Sequence, residues 1–471
     1  MKQIYEPHGA TICLLGAQSV SDAKYRPLTY IYECNVDEGL LIYNILTREL
    51  LLLNKDEIKL WNENIDVDNK ITQELIKKWF FVPVENDDAK LRRQVRELLS
   101  AIVYTNVSAP TKVFTILPTT DCNARCFYCF ELGRSRKFMS QKTAKDVADY
   151  IFKTSKGAES IKLRWFGGEP LYNVDAIDII CSKLKKHNVS YTSEIISNGY
   201  LFNDENVSKA VSTWNTKSVQ ITLDGTEEIY NKCKSFIYHD GRSAFKVVTD
   251  NIERLLNADI LVKVRMNMDS HNESDLYNLT DYLLNRFGKY KKFFAYVHLL
   301  FEDSGKVQME RNDMERHMMI QKFFKFEDYL KDCQPNFPKR TVKSLIQYHQ
   351  CMADDCATTT IMPDGELGKC EHYSDTDFWG SIYSDKIDRS VIEDFRRAKY
   401  LGEQCDKCRL YPLCYQLIRC AQTIPDRCDE VDKMLHYRNV ERAIRETYRI
   451  YIQNNKIIGG SKDEIEIQND C

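Results

Sequence analysis

The chain of 471 residues has few of the long apolar runs that secreted and membrane proteins need. It has no stretch of about 18 consecutive apolar residues, the length that a membrane-spanning helix requires. The N-terminal sequence MKQIYEPHGATICLLGAQS also lacks the apolar core of a signal peptide. We therefore expect a cytoplasmic protein with no membrane partner.

A charge bias is also missing. Lys and Arg total 66 against 69 Asp and Glu, so the net charge is -3. This balance provides no general positive field for a polyanion, and we expect no nucleic-acid partner. Pro- or Gly-rich linkers and internal repeats are absent as well, so the two or three units that this length allows should pack against each other.

Cysteine, by contrast, is abundant, with 17 residues grouped at short spacings. Reducing systems keep cytosolic thiols from forming disulfides. The cysteine clusters therefore indicate metal ligands rather than disulfide bridges.

The apolar pattern predicts an α/β fold with smaller units on either side. Residues 28–53 favour a small antiparallel sheet, and the helical spacing of KDEIKLWNEN, TQELIKKWF and AKLRRQVRELLSAIVY follows it. From residue 112, six strands alternate with helices, which predicts a parallel sheet, open or curled into a partial barrel, with its chemistry at the carboxyl ends of the strands. The predicted strands are VFTILP, SIKLRWFG, YTSEIISNG, KSVQITLDG, ILVKVRMNM and FFAYVHLLF.

The first cysteine cluster, DCNARCFYC, follows the first of these strands with the spacing Cys122-x3-Cys126-x2-Cys129. A structural zinc site normally has four protein ligands in a closed tetrahedron. Three thiols suggest an incomplete shell, such as an iron–sulfur cubane with one iron left open. A structural zinc loop is the alternative.

This spacing, with Tyr128 before the last cysteine, resembles the signature of radical S-adenosylmethionine (SAM) enzymes. The resemblance implies a partial (β/α)6 TIM-like barrel and a [4Fe-4S] cluster whose open iron binds SAM. It also implies an electron donor such as flavodoxin or ferredoxin, and cleavage of SAM to a 5′-deoxyadenosyl radical.

Three further stretches at strand ends fit this family: Gly-Gly-Glu-Pro from Gly167, Ser-Asn-Gly from Ser197, and Thr-Leu-Asp-Gly from Thr222. Each could alternatively be an ordinary turn. Arg265 and Asn267 share one face of the fifth strand and could meet SAM or form an internal salt bridge. Where relatives carry His-Asp-x-x-Arg, this chain departs with residues 230–234, YNKCK. The cofactor-binding residues implied by the resemblance are Tyr128, Gly167, Gly168, Glu169, Ser197, Asn198, Thr222, Asp224 and Arg265.

The second cysteine cluster resembles the SPASM extension of radical SAM enzymes that modify peptides and proteins. That extension generally carries two auxiliary four-iron clusters, and eight cysteines can ligate two cubanes fully. One spacing departs from the family, because Cys414 and Cys420 are separated by five residues instead of three. Two zinc sites are the alternative. The resemblance implies a nearer cluster on Cys351, Cys356, Cys370 and Cys420 and an outer one on Cys405, Cys408, Cys414 and Cys428.

Glu371 follows Cys370 directly. Sulfatase-maturing relatives carry an aspartate next to the comparable cysteine as a general base, and Glu371 could act in that place as a catalytic residue. Alternatively, it could be a charged residue that hydrogen-bonds nearby backbone. His372 is expected to be structural.

The β-then-helix pattern of residues 28–105 resembles the winged-helix-like element that recognises leader peptides in many maturases of ribosomal peptides. Its third helix carries Arg92, Arg93 and Arg96, which could meet an acidic leader. A structural cap on the barrel or a DNA-reading winged helix are the other interpretations. The predicted domains are a leader-recognition unit at 1–109, a radical SAM core at 110–303, a helical bridge at 304–350, a SPASM unit at 351–430, and a helix with a tail at 431–471.

Together these features predict a radical SAM oxidoreductase that crosslinks a precursor peptide, with a thioether as one possible bond. An anaerobic sulfatase maturase that makes formylglycine is the rival among enzymes. A zinc-stabilised binding or scaffold protein is the rival outside them.

Overall fold

A computed structural model describes most of the chain, including every predicted site residue. The described ranges are 1–7, 15–63, 65–104, 110–131, 133–237, 241–300, 313–346, 351–372, 377–414, 417–420, residue 428, and 430–458. The predicted C-terminal tail beyond 458, and residues 304–312 and 347–350 of the predicted bridge, lie outside them.

The N-terminal unit is a sheet followed by three helices, which confirms the predicted order of elements. Strands β1 (Lys2–Tyr5), β3 (Ile31–Val36), β4 (Gly39–Asn44) and β5 (Leu50–Leu53) form an antiparallel sheet in the order β1-β5-β4-β3, and β2 (Tyr25–Pro27) pairs with β6 (Phe81–Pro83). The helices are Lys55–Asn62, Lys70–Lys77 and Asp88–Tyr104. The first begins where it does because Asn54 and Glu57 form a capping box.

The six predicted strands of the core are confirmed as neighbours in one parallel sheet. They are β7 (Val113–Ile116), β8 (Ile161–Trp165), β9 (Tyr191–Ser197), β10 (Thr216–Thr222), β11 (Leu261–Met268) and β12 (Phe293–Leu299). The intervening helices are Gln141–Thr154, Val174–Lys186, Asp204–Ser212, Glu227–Lys234, Ala244–Asn257 and Asp275–Phe287. Ser140 caps the first of them by accepting from the backbone N–H of Thr143 at 3.0 Å, as predicted.

Alternate side chains of these strands face in opposite directions. One set, which includes Phe114, Trp165, Ile195, Ile221 and Val264, is fully buried against the helices. The other set lines the concave face of the sheet, which we call the lumen. The carboxyl ends of all six strands meet at one rim of this lumen.

A hairpin from the cysteine-rich segment extends the sheet, which the sequence interpretation missed. Strand β13 (Thr358–Ile361) lies parallel to β7, β14 (Glu366–Gly368) returns antiparallel to it, and β15 (Gly380–Ser381) follows at the edge. The run of β-branched residues before a Pro-Asp-Gly turn was the available signal. The hairpin brings Cys356 and Cys370 to its open end.

The C-terminal region packs across both earlier units, as the absence of linkers predicted. This region contains two long helices, Asp313–Cys333 and Glu430–Ile458, and between them in the sequence two short ones, Arg389–Asp394 and Glu403–Asp406. Single 3-10 turns of the chain lie at Pro170–Asn173, Val342–Ser344 and Tyr411–Leu413. Val440, Ala443 and Ile444 of the long C-terminal helix share a hydrophobic core with the N-terminal sheet, and Leu410 and Leu413 complete that core. None of the helices in the described ranges is long and apolar enough to cross a membrane.

Candidate functional site

The loop after β7 carries three neighbouring thiols. Cys122, Cys126 and Cys129 lie within electrostatic reach of one another, and the backbone N–H of Ala124 donates to the Cys122 sulfur at 3.3 Å. Burial, followed by the nearby Glu169 carboxylate, raises the pKa of Cys122 to about 12, and burial raises that of Cys129 to about 11. Thiols in such a setting ionise only when a metal compensates the charge. The donor set therefore fits an iron–sulfur cluster.

Two glycines hold this loop against the end of β8. The backbone N–H groups of Gly168 and Glu169 donate to the carbonyls of Thr119 and Asp121. A Cβ at Gly167 would lie 2.2 Å from the Thr119 oxygen, and one at Gly168 would lie 2.2 Å from the Asp121 oxygen. Both positions require glycine because the loop backbone occupies the space of a side chain. Contact with SAM remains a prediction for this pair.

Glu169 joins the ends of β8 and β9. Its carboxylate is fully buried and accepts from Leu171 N, from Ser197 Oγ at 2.9 Å and from Asn198 N at 2.8 Å. Burial raises its pKa to about 7, against the lowering effect of these donors. Asn198 in turn donates through Nδ2 to Asn123 at 2.7 Å and reaches the Cys122 sulfur at 3.6 Å. The predicted Gly-Gly-Glu-Pro and Ser-Asn-Gly residues thus lie together beside the first cluster cysteine.

Asp224 is held in a buried ion pair that the sequence interpretation did not predict. Lys234 Nζ lies 2.8 Å from Asp224 Oδ2, and the Tyr128 hydroxyl bonds to both groups. Asp224 Oδ1 accepts from the backbone N–H of Asn267 at 3.0 Å. Desolvation opposes the charge on Lys234, but Asp224 and the neighbouring groups Tyr128, Cys126 and Tyr230 together outweigh it, so the pKa of Lys234 lies well above its usual value. One sequence feature could have predicted this pair. Residues 230–234 differ from the His-Asp-x-x-Arg stretch of relatives, and Lys234 takes the place of its arginine.

Arg265 lies beside the end of β10 at the rim of the lumen, and Glu371 acts electrostatically on the same histidine as Arg265 does. Arg265 Nε donates to Asn267 Oδ1 at 2.9 Å, an internal hydrogen bond rather than a salt bridge. It acts electrostatically on His372, whose ring lies 4.2 Å from that of Phe130. Within the described residues, Glu371 Oε2 is buried without a hydrogen-bond partner. Thr222 is aligned with Arg265 across β10 and β11, so it also lies at this rim.

The predicted outer set of auxiliary cysteines lines a single cavity. Cys405, Cys408, Cys414 and Cys428 all border a space of about 980 Å³ that also touches Tyr296 in the lumen. The described residues contain no group of three or more His, Cys, Asp or Glu side chains placed to hold a single metal ion. Assignment of a cluster to the four cavity cysteines remains a prediction.

The predicted nearer set is only partly brought together. Cys351, Cys370 and Cys420 act electrostatically on one another. Cys356 accepts a hydrogen bond from Arg396 at 3.2 Å. Lys369, which lies between the two strand-end cysteines, donates to the carbonyls of Asp355 and Thr358. These partners were not predicted.

Arg92 does not lie where an acidic leader could reach it. Only 5% of the residue is exposed, and its guanidinium donates to Asp406 at 2.9 Å while it lies 4.1 Å from the ring centroid of Tyr411. The expectation for this residue is therefore wrong, because it joins the N-terminal unit to the segment that carries Cys405.

Comparison with known proteins agrees with this geometry. Residues 116–283 match the profile of the radical SAM superfamily. Residues 116–283 are therefore a radical SAM domain, and such a domain implies a [4Fe-4S] cluster and SAM. That Cys122, Cys126 and Cys129 bind this cluster stays a prediction.

Curated relatives are distant or partial. An uncharacterized protein of Methanocaldococcus jannaschii, MJ0907, is 33% identical over 113 residues, which are 23% of this chain and 37% of that protein. GTP 3′,8-cyclase of Clostridium perfringens is 24% identical over 294 residues, or 59% of this chain and 84% of the cyclase. The radical SAM cyclopropyl synthase TigE of Paramaledivibacter caminithermalis is 23% identical over 234 residues, or 43% and 48%.

Two solved structures share the fold over most of the chain. SuiB of Streptococcus suis bound to its precursor peptide SuiA has a TM-score of 0.52 at 14% identity, and covers 87% of this chain and 100% of SuiB. Native anSMEcpe with bound AdoMet has a TM-score of 0.53 at 16% identity, and covers 73% of this chain and 99% of that one.

Proposed function

We propose that this enzyme is a maturase of a ribosomally synthesised precursor peptide, in which it forms an oxidative crosslink such as a cysteine thioether. The observation that carries the proposal is the cavity of about 980 Å³ between the lumen and the outer cysteines. Its walls come from β12, from helices Asp313–Cys333 and Glu430–Ile458, and from the cysteine-rich segment. A space of this size accepts several side chains of a peptide.

Proteins of similar fold support a peptide substrate. The SuiB structure contains the precursor peptide SuiA, and another anSMEcpe structure contains the Cp18Cys peptide. The likeness to SuiB extends over 87% of this chain, whereas the GTP cyclase alignment extends over 59%. The N-terminal unit would then present the leader to the core, and a cytoplasmic peptide would be its partner.

When bound, the cluster and SAM supply the 5′-deoxyadenosyl radical. Cys122, Cys126 and Cys129 would hold the cluster, while Asn198 and the buried Glu169 fix the strand ends beside it. The eight downstream cysteines would hold two further [4Fe-4S] clusters. Arg265 and Thr222 line the rim where SAM would lie.

The crosslink joins two residues and removes two hydrogen atoms from the peptide. One leaves as an atom to 5′-deoxyadenosine. The other would leave as a proton, and an auxiliary cluster held by the downstream cysteines would supply the acceptor for its electron. We assign Glu371 to receive that proton. The support is that one of its carboxylate oxygens is buried without a partner among the described residues.

The test is anaerobic reconstitution with iron and sulfide, followed by SAM, a reductant and candidate precursor peptides taken from short open reading frames near this gene. We expect brown protein, 5′-deoxyadenosine, and a peptide mass loss of about 2 Da per crosslink, the mass of two hydrogen atoms. A colourless, iron-free protein would support the zinc scaffold instead. Formylglycine in a sulfatase-type peptide, with the precursor unchanged, would support the sulfatase maturase.

A further inference from the structure

The lumen carries far more positive than negative charge. Four cations face it from two strands, and the strand alternation and register place them on one surface. The only carboxylate on the lumen face of β8 to β12, all of which are described, is Glu194. We name the four the lumen cation cluster: Lys162, Arg164, Lys263 and Arg265.

Glu194 neutralises only one of these charges. Its carboxylate lies 2.6 Å from Lys162 and 2.5 Å from Arg164. The Glu194 and Arg164 side chains are 12% and 25% exposed, whereas that of Lys162 is 43% exposed. Four cations against one carboxylate leave an excess of three positive charges.

Among the described residues, Lys263 and Arg265 form no ion pair, and Lys263 is the one of the two that borders the cavity. It is partly buried, and no carboxylate of the described residues lies within ion-pair distance of it. Burial lowers its pKa; Lys162 and Arg164 lower it further, while Glu194 opposes them. A partly buried cation without a partner costs folding free energy, so its presence points to a ligand.

Apart from its cysteine thiols, the described lining of the opposite wall offers Lys263 no unpaired carboxylate. Lys263 borders the cavity together with Lys331, Lys339 and Arg340. The wall carboxylates are already paired, Glu327 with Arg438 and Arg442, and Glu446 with Arg449.

We propose that the lumen cation cluster binds carboxylate side chains of an acidic segment of the substrate peptide. This inference rests on the proposed function and specifies its substrate class. The cations are spread along two strands and around the cavity, beside the aromatic rings of Phe294 and Tyr296. Clusters of Lys and Arg also bind phosphate groups, so a nucleotide such as GTP is the competing ligand in the test below. The spread of the cations along two strands suits an extended chain with several carboxylates.

The test measures binding to the reconstituted full-length enzyme without turnover. The probes are fluorescein-labelled hexaglutamate and hexaglutamine peptides, followed by fluorescence anisotropy. For Lys263→Gln we expect hexaglutamate to bind about tenfold more weakly, the effect of losing one charge-assisted contact, and hexaglutamine to be unaffected. The matched control is Lys292→Gln, which removes an exposed lysine paired with Asp259 on the outer surface and should leave both affinities unchanged.

Equal binding of the two peptides, or equal hexaglutamate affinity in Lys263→Gln, would overturn the inference. So would GTP binding that depends on Lys263 when hexaglutamate does not bind. A thermal melt distinguishes a ligand-binding role of Lys263 from a structural one. Lys263→Gln should melt at the same temperature as the parent or at a higher one, and a lower melting temperature would also contradict the proposal. The anisotropy experiment measures peptide binding and requires no turnover. It can therefore show that the cation cluster binds no acidic peptide independently of whether the crosslinking assay succeeds.

Discussion

At the scale of single residues, the environment of the cluster loop depends on buried partners that sequence spacing does not reveal. Cys122, Cys126 and Cys129 were identified from spacing alone. The hydrogen bonds and the ion pair that link Tyr128, Asp224 and Lys234 were not predicted, because these residues are far apart in the chain. Spacing brings candidate ligands together when they share one loop, whereas burial and pairing across elements depend on the folded structure.

Replacement of Lys234 tests this buried ion pair. In Lys234→Met, Asp224 keeps its charge in a site that is 1% exposed, and we expect a loss of about 3 to 5 kcal/mol in the free energy of unfolding. The measurement is thermal denaturation of the reconstituted protein together with its iron content. Lys246→Met, which removes an exposed lysine near Glu227, is the control, and a Lys234→Met protein as stable as this control would contradict the assignment.

His298 on the lumen face predicts a dependence of stability on acid. Burial, and then the charge of Arg265, lowers its pKa to about 4, so the folded state favours the neutral ring. The unfolded chain protonates near pH 6.5, and stability is therefore full above that pH and falls as the pH drops toward 4.

The comparison is between the parent enzyme and His298→Phe in thermal melts from pH 7 to pH 4.5. The parent should lose roughly 2 kcal/mol more than the variant over this range. His271→Phe removes a histidine whose side chain is 71% exposed and should leave the pH profile of the parent unchanged. Parallel profiles for the parent and His298→Phe would show that His298 does not titrate as described.

At the scale of elements, the sequence predicted the six core strands because apolar alternation and strand-end glycines mark them clearly. It missed β13 and β14, since a four-residue strand inside a cysteine-rich segment gives little periodicity and its pairing with β7 spans more than 200 residues. The position of Cys356 relative to Cys370 depends on that hairpin. Ligand spacing in the second cluster was therefore a weaker guide to geometry than in the first.

Gly168 tests the contact between the end of β8 and the cluster loop. An added Cβ would lie 2.2 Å from the Asp121 oxygen and 2.7 Å from that of Thr120, so Gly168→Ala must displace the loop. We expect loss of the SAM-binding cluster with the auxiliary clusters retained, measured as iron falling to about two thirds of the parent value. In Gly368→Ala the nearest atom would be 3.7 Å away, and iron content should not change. An unchanged content in Gly168→Ala would exclude this role.

At the scale of the whole molecule, the N-terminal unit is joined to the cysteine-rich segment by a shared core and by one buried arginine. Arg92 pairs with Asp406, directly after Cys405, and stacks near Tyr411. The sequence placed Arg92 on an accessible helix face because helical periodicity alone cannot identify which neighbour covers a surface.

A double-mutant cycle of Arg92→Met and Asp406→Asn measures this coupling. We expect an interaction free energy of about 1 to 3 kcal/mol from thermal melts, because both groups belong to one buried contact. The exposed pair Lys142 and Asp146, with 80% and 32% of the side chains exposed, is the control and should give less than about 0.5 kcal/mol. Additive effects in the Arg92 cycle would indicate independent units.

The central claim is that this enzyme removes hydrogen from a precursor peptide. The most direct measurement uses a candidate precursor peptide made with deuterated amino acids, and mass spectrometry of the 5′-deoxyadenosine formed by the reconstituted enzyme. The account predicts that 5′-deoxyadenosine gains about 1 Da from the labelled peptide while the peptide gains a crosslink. Unlabelled 5′-deoxyadenosine with an unmodified peptide, formed equally fast when the peptide is omitted, would contradict it.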